Sequence, residues 1–266
     1  MIPRRPIGDV LLSARSISLS FGGVKALNDI SIEVRRHEIL SIIGPNGAGK
    51  TSMLNVINGV YHPQAGDITF RGRRWTRMGG AEAAAQGIAR TFQNVALFRG
   101  MSVLDNILSG RARRFRASIV AQALNLPHAV REEVAERGRV EELIEFLDLQ
   151  AVRRTPVGTL PYGLQKRVEL ARALAAEPEL LLLDEPMAGM TFEEKQDMCR
   201  FVLDVNRVLG TTVVLIEHDI GVVMDLSDRI AVLDYGRKIA DGPPDAVRGN
   251  AEVIAAYLGT NHGIAA

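Results

Sequence analysis

Residues 10 to 42 alternate apolar and polar positions with a period of two, in LLSARSISLSFGG and then LNDISIEV, before the polar positions thin out in EILSIIG. Alternation marks a strand with one wet face, and an unbroken apolar run marks a strand buried on both. With Gly22-Gly23 and charged breaks between them, these segments predict an antiparallel skirt leading into a buried strand. GPNGAGKTSMLNVINGV then runs from a glycine loop into a helix of apolar period. From about Met101 to Val157 strand character disappears, and MSVLDNILSG, RASIVAQALNL and VREEVAERGRVEELIEFLDL carry helical spacing. Beyond them, ELLLLD, TTVVLIEHD and RIAVLDYGRKIADG are apolar, β-rich runs separated by helical segments, the pattern of a parallel sheet covered on both faces. AEVIAAYL, residues 251 to 258, makes a short amphipathic tail.

The expected class is therefore α/β: a phosphate-loop core with a mainly parallel sheet, an N-terminal antiparallel β subdomain and an inserted α-helical subdomain. Residues 1 to 266 read as one domain, with the helical insertion over 94 to 165.

Composition narrows the partners. With 47% apolar and 24% charged residues the chain can bury a full-sized core. Lysine plus arginine number 32 against 31 acids, so no excess charge draws the whole molecule to nucleic acid or an anionic bilayer. Any polyanion must be met locally. The single cysteine, Cys199, fits a reducing compartment. The first residues, MIPRRPIGDVLLSARS, lack the apolar stretch of an export signal, and no window approaches the ~18 apolar residues of a membrane span. A cytoplasmic location is the expectation.

The chemistry concentrates in a few motifs. GPNGAGKT, Gly44 to Thr51, matches G-x-x-x-x-G-K-[ST] between a predicted strand and a helix. Gly44, Pro45, Asn46, Gly47, Ala48 and Gly49 would turn backbone N–H groups around phosphate oxygens, with Ser52 in the first turn beyond. Lys50 would reach the outer phosphates of ATP, and the Thr51 hydroxyl would face Mg²⁺. In LLLLDEP two acids end an apolar strand: Asp184 suits the metal shell, and Glu185 suits a general base acting on water. His218, in VVLIEHD, ends another buried-looking strand on the same edge, where a γ-phosphate contact outweighs a merely structural role. Gln93, in RTFQN, sits where the sheet-like half gives way to the helical one; its amide could meet Mg²⁺ or the reacting water. Phe21, ahead of the glycine pair, could stack on adenine or be an ordinary core aromatic. RARRFR, residues 111 to 116, reads as a solvated basic helix face, with contact to a permease helix or lipid headgroups as the other reading.

Together, GPNGAGKT, RTFQ, LPYGLQKR, LLLLDEP and LIEHD stand in the order and spacing of an ATP-binding cassette (ABC) protein, and the chain resembles that family over nearly its whole length. FGGVKAL, ARTFQN, EPMAG, IEHD and AAYLG are most similar to the ATPase subunits of branched-chain amino acid importers. The resemblance implies an ATPase whose LPYGLQ loop, through Tyr162 and Gly163, closes over ATP held by a second copy or a second ABC ATPase. It implies integral membrane permeases and a periplasmic solute-binding protein as partners, no nucleic acid, and attachment to the inner face of the cell membrane through the permeases. An ATPase of a lipopolysaccharide-type exporter, a soluble non-transport ABC ATPase and a phosphate-loop switch without turnover are the other readings. The chain departs from the usual Leu-Ser-Gly-Gly-Gln at Pro161, Tyr162 and Leu164, and has Thr191 where an aspartate is usual. Pro161 removes a hydroxyl and a backbone N–H, which implies a slackened clamp across the dimer.

Overall fold

The computed structural model describes residues 5–75, 77–91, 95–118, 121, 124 and 126–259, the side chains of the last two excepted. Strands β1 (Val10–Phe21) and β2 (Val24–Arg35) form a hairpin across Gly22-Gly23, whose φ of 51° and 90° supply the two left-handed residues of a two-residue turn. β1 also pairs antiparallel with β4 (Ala65–Phe70), and β5 (Arg73–Trp75) closes the edge, giving the order β2-β1-β4-β5.

A second sheet has the order β10-β9-β3-β8-β7-β6. In it β3 (Ile39–Ile43), β6 (Ile88–Arg90), β7 (Leu180–Asp184), β8 (Thr212–Ile216) and β9 (Arg229–Asp234) run parallel. β3, β7 and β8 are buried at every residue because both faces are covered. The period of two sorts them: Leu40, Ile42, Leu182 and Val214 face the antiparallel sheet and helix α1 (Lys50–Ile57), while Ile39, Leu181, Leu183 and Val213 face the helical side. RIAVLDYGRKIADG is not one more parallel strand. Tyr235 and Gly236, at φ 40° and 73°, turn the chain back so that β10 (Arg237–Gly242) pairs antiparallel with β9.

After the short helix α2 (Gly80–Ala85) and β6, the described residues up to β7 hold no further strand, only an isolated bridge between Ser102 and Pro156. They form helices α3 (Val103–Ser109), α4 (Pro127–Phe146) and α5 (Tyr162–Ala175). The Ser102 side chain caps α3 by accepting from the Asp105 N–H. Within RASIVAQALNL, residues 119, 120, 122, 123 and 125 lie outside the described residues. RARRFR is not the helix face expected: Arg111 to Arg114 are a turn after α3, with Arg113, Arg114 and Arg116 exposed, and Arg111 is 4% exposed, paired with Glu136 of α4 and Glu177 beyond α5 while donating to the Ala175 carbonyl. A guanidinium buried between three segments ties them together; it is not a solvated face.

The chain ends through α6 (Phe192–Asp204), α7 (Ile220–Leu226), α8 (Pro244–Arg248) and α9 (Ala251–Gly259). Among the described residues no helix is long and apolar enough to cross a membrane. Because the five strands are parallel, the carboxyl ends of β3, β6, β7 and β8 open on one edge of the sheet, where α/β proteins build their sites.

Candidate functional site

The loop after β3 keeps its shape through its glycines. Gly44, Gly47 and Gly49 have φ of 147°, 82° and 101°. A Cβ on Gly44 would stand 2.0 Å from the Leu233 carbonyl oxygen, and one on Gly49 would stand 2.5 Å from that of Ala26. Both positions admit only hydrogen. Gly47 has open space on its Cβ side, so its conformation alone calls for glycine. Asn46 and Gly47 are exposed at the tip, Pro45 is half-buried and Ala48 is buried.

Helix α1 follows without a side-chain cap, leaving its first N–H groups open to an anion. The Lys50 ammonium curls back to donate to the carbonyls of Gly44 (2.7 Å) and Pro45 (2.9 Å). Burial lowers the Lys50 pKa, and the charges of Glu185 and Asp184 offset part of that. Thr51 is exposed and Ser52 half-buried at the head of the helix. A glycine cradle with open donors and one ammonium suits a chain of phosphates.

At the end of β7, Asp184 is 1% exposed. Its Oδ2 accepts from Arg90 Nη2 at 2.7 Å, while Oδ1 is buried with no hydrogen-bond partner. A buried carboxylate oxygen without a donor is costly, and a cation would satisfy it. Among the described residues no three His, Cys, Asp or Glu side chains could hold a metal by themselves. One carboxylate oxygen and the Thr51 hydroxyl are hard donors that fit Mg²⁺ when phosphate oxygens complete its shell.

Glu185 adopts φ 50°, a left-handed conformation costing roughly 1–2 kcal/mol for a residue with a side chain. Its N–H is held by the Ile216 carbonyl at 2.9 Å, and its Oε1 lies 2.7 Å from His218 Nε2. The strained turn thus aims the carboxylate at the end of β8. Glu217 is a component that sequence reasoning missed. It is 5% exposed, and its two oxygens accept from the backbone N–H of Met187 (2.8 Å) and of His218 (3.2 Å). Burial raises its pKa, with these two N–H groups holding it back in part. The signal was available: an acid at the end of an otherwise apolar strand, next to the histidine.

Residues 27–188 match the profile of the ABC transporter family. The chain belongs to that family. Residues 237–263 match a second profile, described as branched-chain amino acid ATP-binding cassette transporter. The chain is 39% identical over 249 residues to the high-affinity branched-chain amino acid transport ATP-binding protein LivG of Salmonella typhimurium, covering 94% of this chain and 98% of that protein. BraF of Pseudomonas aeruginosa, carrying the same description, is 36% identical over the same shares. Among solved structures, the ADP conformation of an ATP-binding cassette of an ABC transporter superposes with a TM-score of 0.82 at 31% identity, covering 94% of this chain and 99% of that one. A nucleotide-free cassette superposes with a TM-score of 0.81 at 30% identity, over 93% and 98%.

The remaining expected site residues of this cassette are placed unevenly. Phe21 is not a core aromatic: it is 45% exposed and meets Tyr61 edge to face at 5.0 Å. Tyr162 opens α5, is 42% exposed and carries Lys166 near its ring. Gly163 is buried, and a Cβ there would stand 2.2 Å from Glu194 Oε1. In the single chain Gly163 thus lies beneath the Glu194 carboxylate. Thr191, in place of aspartate, caps α6 reciprocally with Glu194: Oγ1 accepts from the Glu194 N–H, and Glu194 Oε2 accepts from the Thr191 N–H at 2.9 Å. Gln93 lies outside the described residues.

Proposed function

We propose that this chain is the ATP-hydrolysing, energy-coupling subunit of an ABC importer whose cargo is a branched-chain amino acid or a related small polar solute. The observation that carries hydrolysis is the Glu185–His218 contact of 2.7 Å, beside Asp184 and across the sheet edge from the phosphate loop. The cargo class is supported by the relatives of 36–39% identity described as branched-chain amino acid transport proteins and by the profile over residues 237–263.

In this reading the backbone of Gly44 to Gly49 wraps the triphosphate, with Pro45, Asn46 and Ala48 shaping the turn, and Lys50 exchanges its two carbonyl partners for phosphate oxygens. Phe21 stacks on the adenine, and Ser52 supports the α-phosphate end of the loop. Thr51, Asp184 and Gln93 would hold Mg²⁺, which would supply charge neutralisation at the phosphates. Glu185 takes the proton of the attacking water, and His218 orients that carboxylate and meets the γ-phosphate.

Residues 1–266 act as one nucleotide-binding domain, with residues 94–165 as the helical subdomain that transmits motion. Two such domains, identical or paired with a second ABC ATPase, sandwich ATP, each offering Tyr162 and Gly163 to its partner's nucleotide. Permeases hold the dimer at the cytoplasmic face of the membrane, with a periplasmic solute-binding protein delivering cargo.

The test is reconstitution. Pull-down from native membranes should recover permeases, and liposomes holding the complex with its binding protein should take up labelled leucine or a related solute only with ATP. Glu185→Gln should keep ATP binding and abolish uptake. Undiminished phosphate release by Glu185→Gln would overturn the hydrolytic assignment, and a complex with no uptake of any such solute would overturn the cargo.

A further inference from the structure

Arg90 has no part in the reading above, yet it is among the most buried charges of the site. Its side chain is 5% exposed and that of Asp184 is 2%. Its guanidinium uses two arms on two different elements: Nη2 donates to Asp184 Oδ2 at 2.7 Å, and Nη1 donates to Asn55 Oδ1 at 2.5 Å. Asn55 belongs to α1, the helix that the phosphate loop opens, and Asp184 ends β7. Arg90 itself ends β6, the edge strand beside β7. One planar fork therefore joins three of the elements that meet at the site, a geometry that a single ammonium cannot reproduce.

We propose that Arg90 is a positioning residue for the metal-binding carboxylate: it engages Oδ2 of Asp184, so that Oδ1 is the oxygen turned to the divalent cation, and fixes that oxygen relative to α1 through Asn55. The proposal rests on the nucleotide reading above. The unpartnered Oδ1 is its counterpart, since one oxygen is taken by Arg90 and the other is left for a cation. Without the guanidinium, Lys50 is left as a cation that already feels the Asp184 charge, as Lys166 does. A carboxylate rotated toward Lys50 would leave the cation without its carboxylate ligand and draw the ammonium off the phosphates. Outer partners of metal ligands typically set affinity by about 10–100-fold.

The experiment uses the full chain, ATP as the nucleotide and Mn²⁺ as the metal probe. ATP affinity is measured by calorimetry in EDTA, and Mn²⁺ affinity of the ATP-bound protein by electron paramagnetic resonance, for wild type, Arg90→Gln and Arg90→Lys. The lysine variant keeps the buried positive charge, and with it the fold, but lacks the fork. The expected result is a fall in Mn²⁺ affinity of at least about tenfold in both variants, with ATP affinity in EDTA held within about twofold. Wild-type Mn²⁺ affinity in Arg90→Lys overturns the proposal, as does a parallel loss of metal-free ATP affinity, which a merely structural role would give. A wild-type chain that binds no ATP in either medium overturns the nucleotide reading and this proposal with it; wild-type binding with unaltered variants overturns this proposal alone.

Discussion

Glu185 Oε1 and His218 Nε2 meet at 2.7 Å although 33 positions separate them in the chain, because β7 and β8 are parallel neighbours ending on one edge. The contact holds an already strained residue in one direction. Replacing His218 by alanine should lower ATP turnover by ~10²–10⁴-fold, the range of a positioned acid–base group, while ATP affinity changes by less than about tenfold. Phosphate-release kinetics beside equilibrium binding check it, and turnover near wild type would remove His218 from the reaction.

The phosphate loop offers a paired comparison. Gly44→Ala forces a methyl to within 2.0 Å of the Leu233 carbonyl, so the loop must move; Gly47→Ala meets no atom within 4 Å and bears only the cost of its left-handed φ, ~1–2 kcal/mol. ATP binding should disappear in the first and weaken by about tenfold in the second. Equal affinities in the two variants, with thermal melts confirming folded protein, would contradict the cradle geometry.

What the sequence disclosed follows from periodicity and motif context. The buried runs ELLLLD and TTVVLIEHD become β7 and β8 because nothing but a sheet covered on both faces suits them, and the acids and histidine at their ends then share an edge. Partners chosen by tertiary approach left no local trace. Arg90 finds Asn55 and Asp184, Arg111 finds Glu136 and Glu177, and Glu194 comes to lie on Gly163, each across segments far apart in the chain. The β9–β10 hairpin was legible and was passed over: Asp234, Gly236, Arg237 and Lys238 break the apolar run where the chain turns back.

Glu177 accepts from Arg111 at 2.9 Å at the junction of the helices with the core. Partial burial would raise its pKa, but the Arg111 hydrogen bond and the charges of Arg111, Arg114 and Arg139 outweigh that and hold it below its ordinary 4.5. A carboxylate with a lowered folded pKa stabilises the fold at pH above its unfolded value and loses that contribution as pH falls through the folded value. Wild type should therefore exceed Glu177→Gln in stability near neutrality, with the gap closing below about pH 4.5. Urea titrations of both proteins across that range check it; a gap constant with pH would assign the effect to packing.

Pro161 stands at the head of α5 with no side-chain cap and no N–H to give. Serine there restores both, worth ~0.5–2 kcal/mol as a cap. In a Glu185→Gln background, Pro161→Ser should tighten the ATP-dependent dimer by up to about tenfold in sedimentation equilibrium. An unchanged dissociation constant would mean that the first turn of α5 does not limit closure.

Glu194 makes the same helix end harder to approach, since its carboxylate lies on Gly163, where the proposed dimer would bring a second molecule's triphosphate. Like charges there oppose closure, whereas the capping box with Thr191 needs only an acceptor at this position. Glu194→Gln keeps that acceptor and removes the charge. It should leave the melting temperature within a few degrees of wild type and strengthen ATP-dependent dimerisation of Glu185→Gln, with the gain shrinking as salt screens the repulsion. A dimer no tighter than the parent at low ionic strength would show that Glu194 swings clear of Gly163 before the two nucleotides are enclosed.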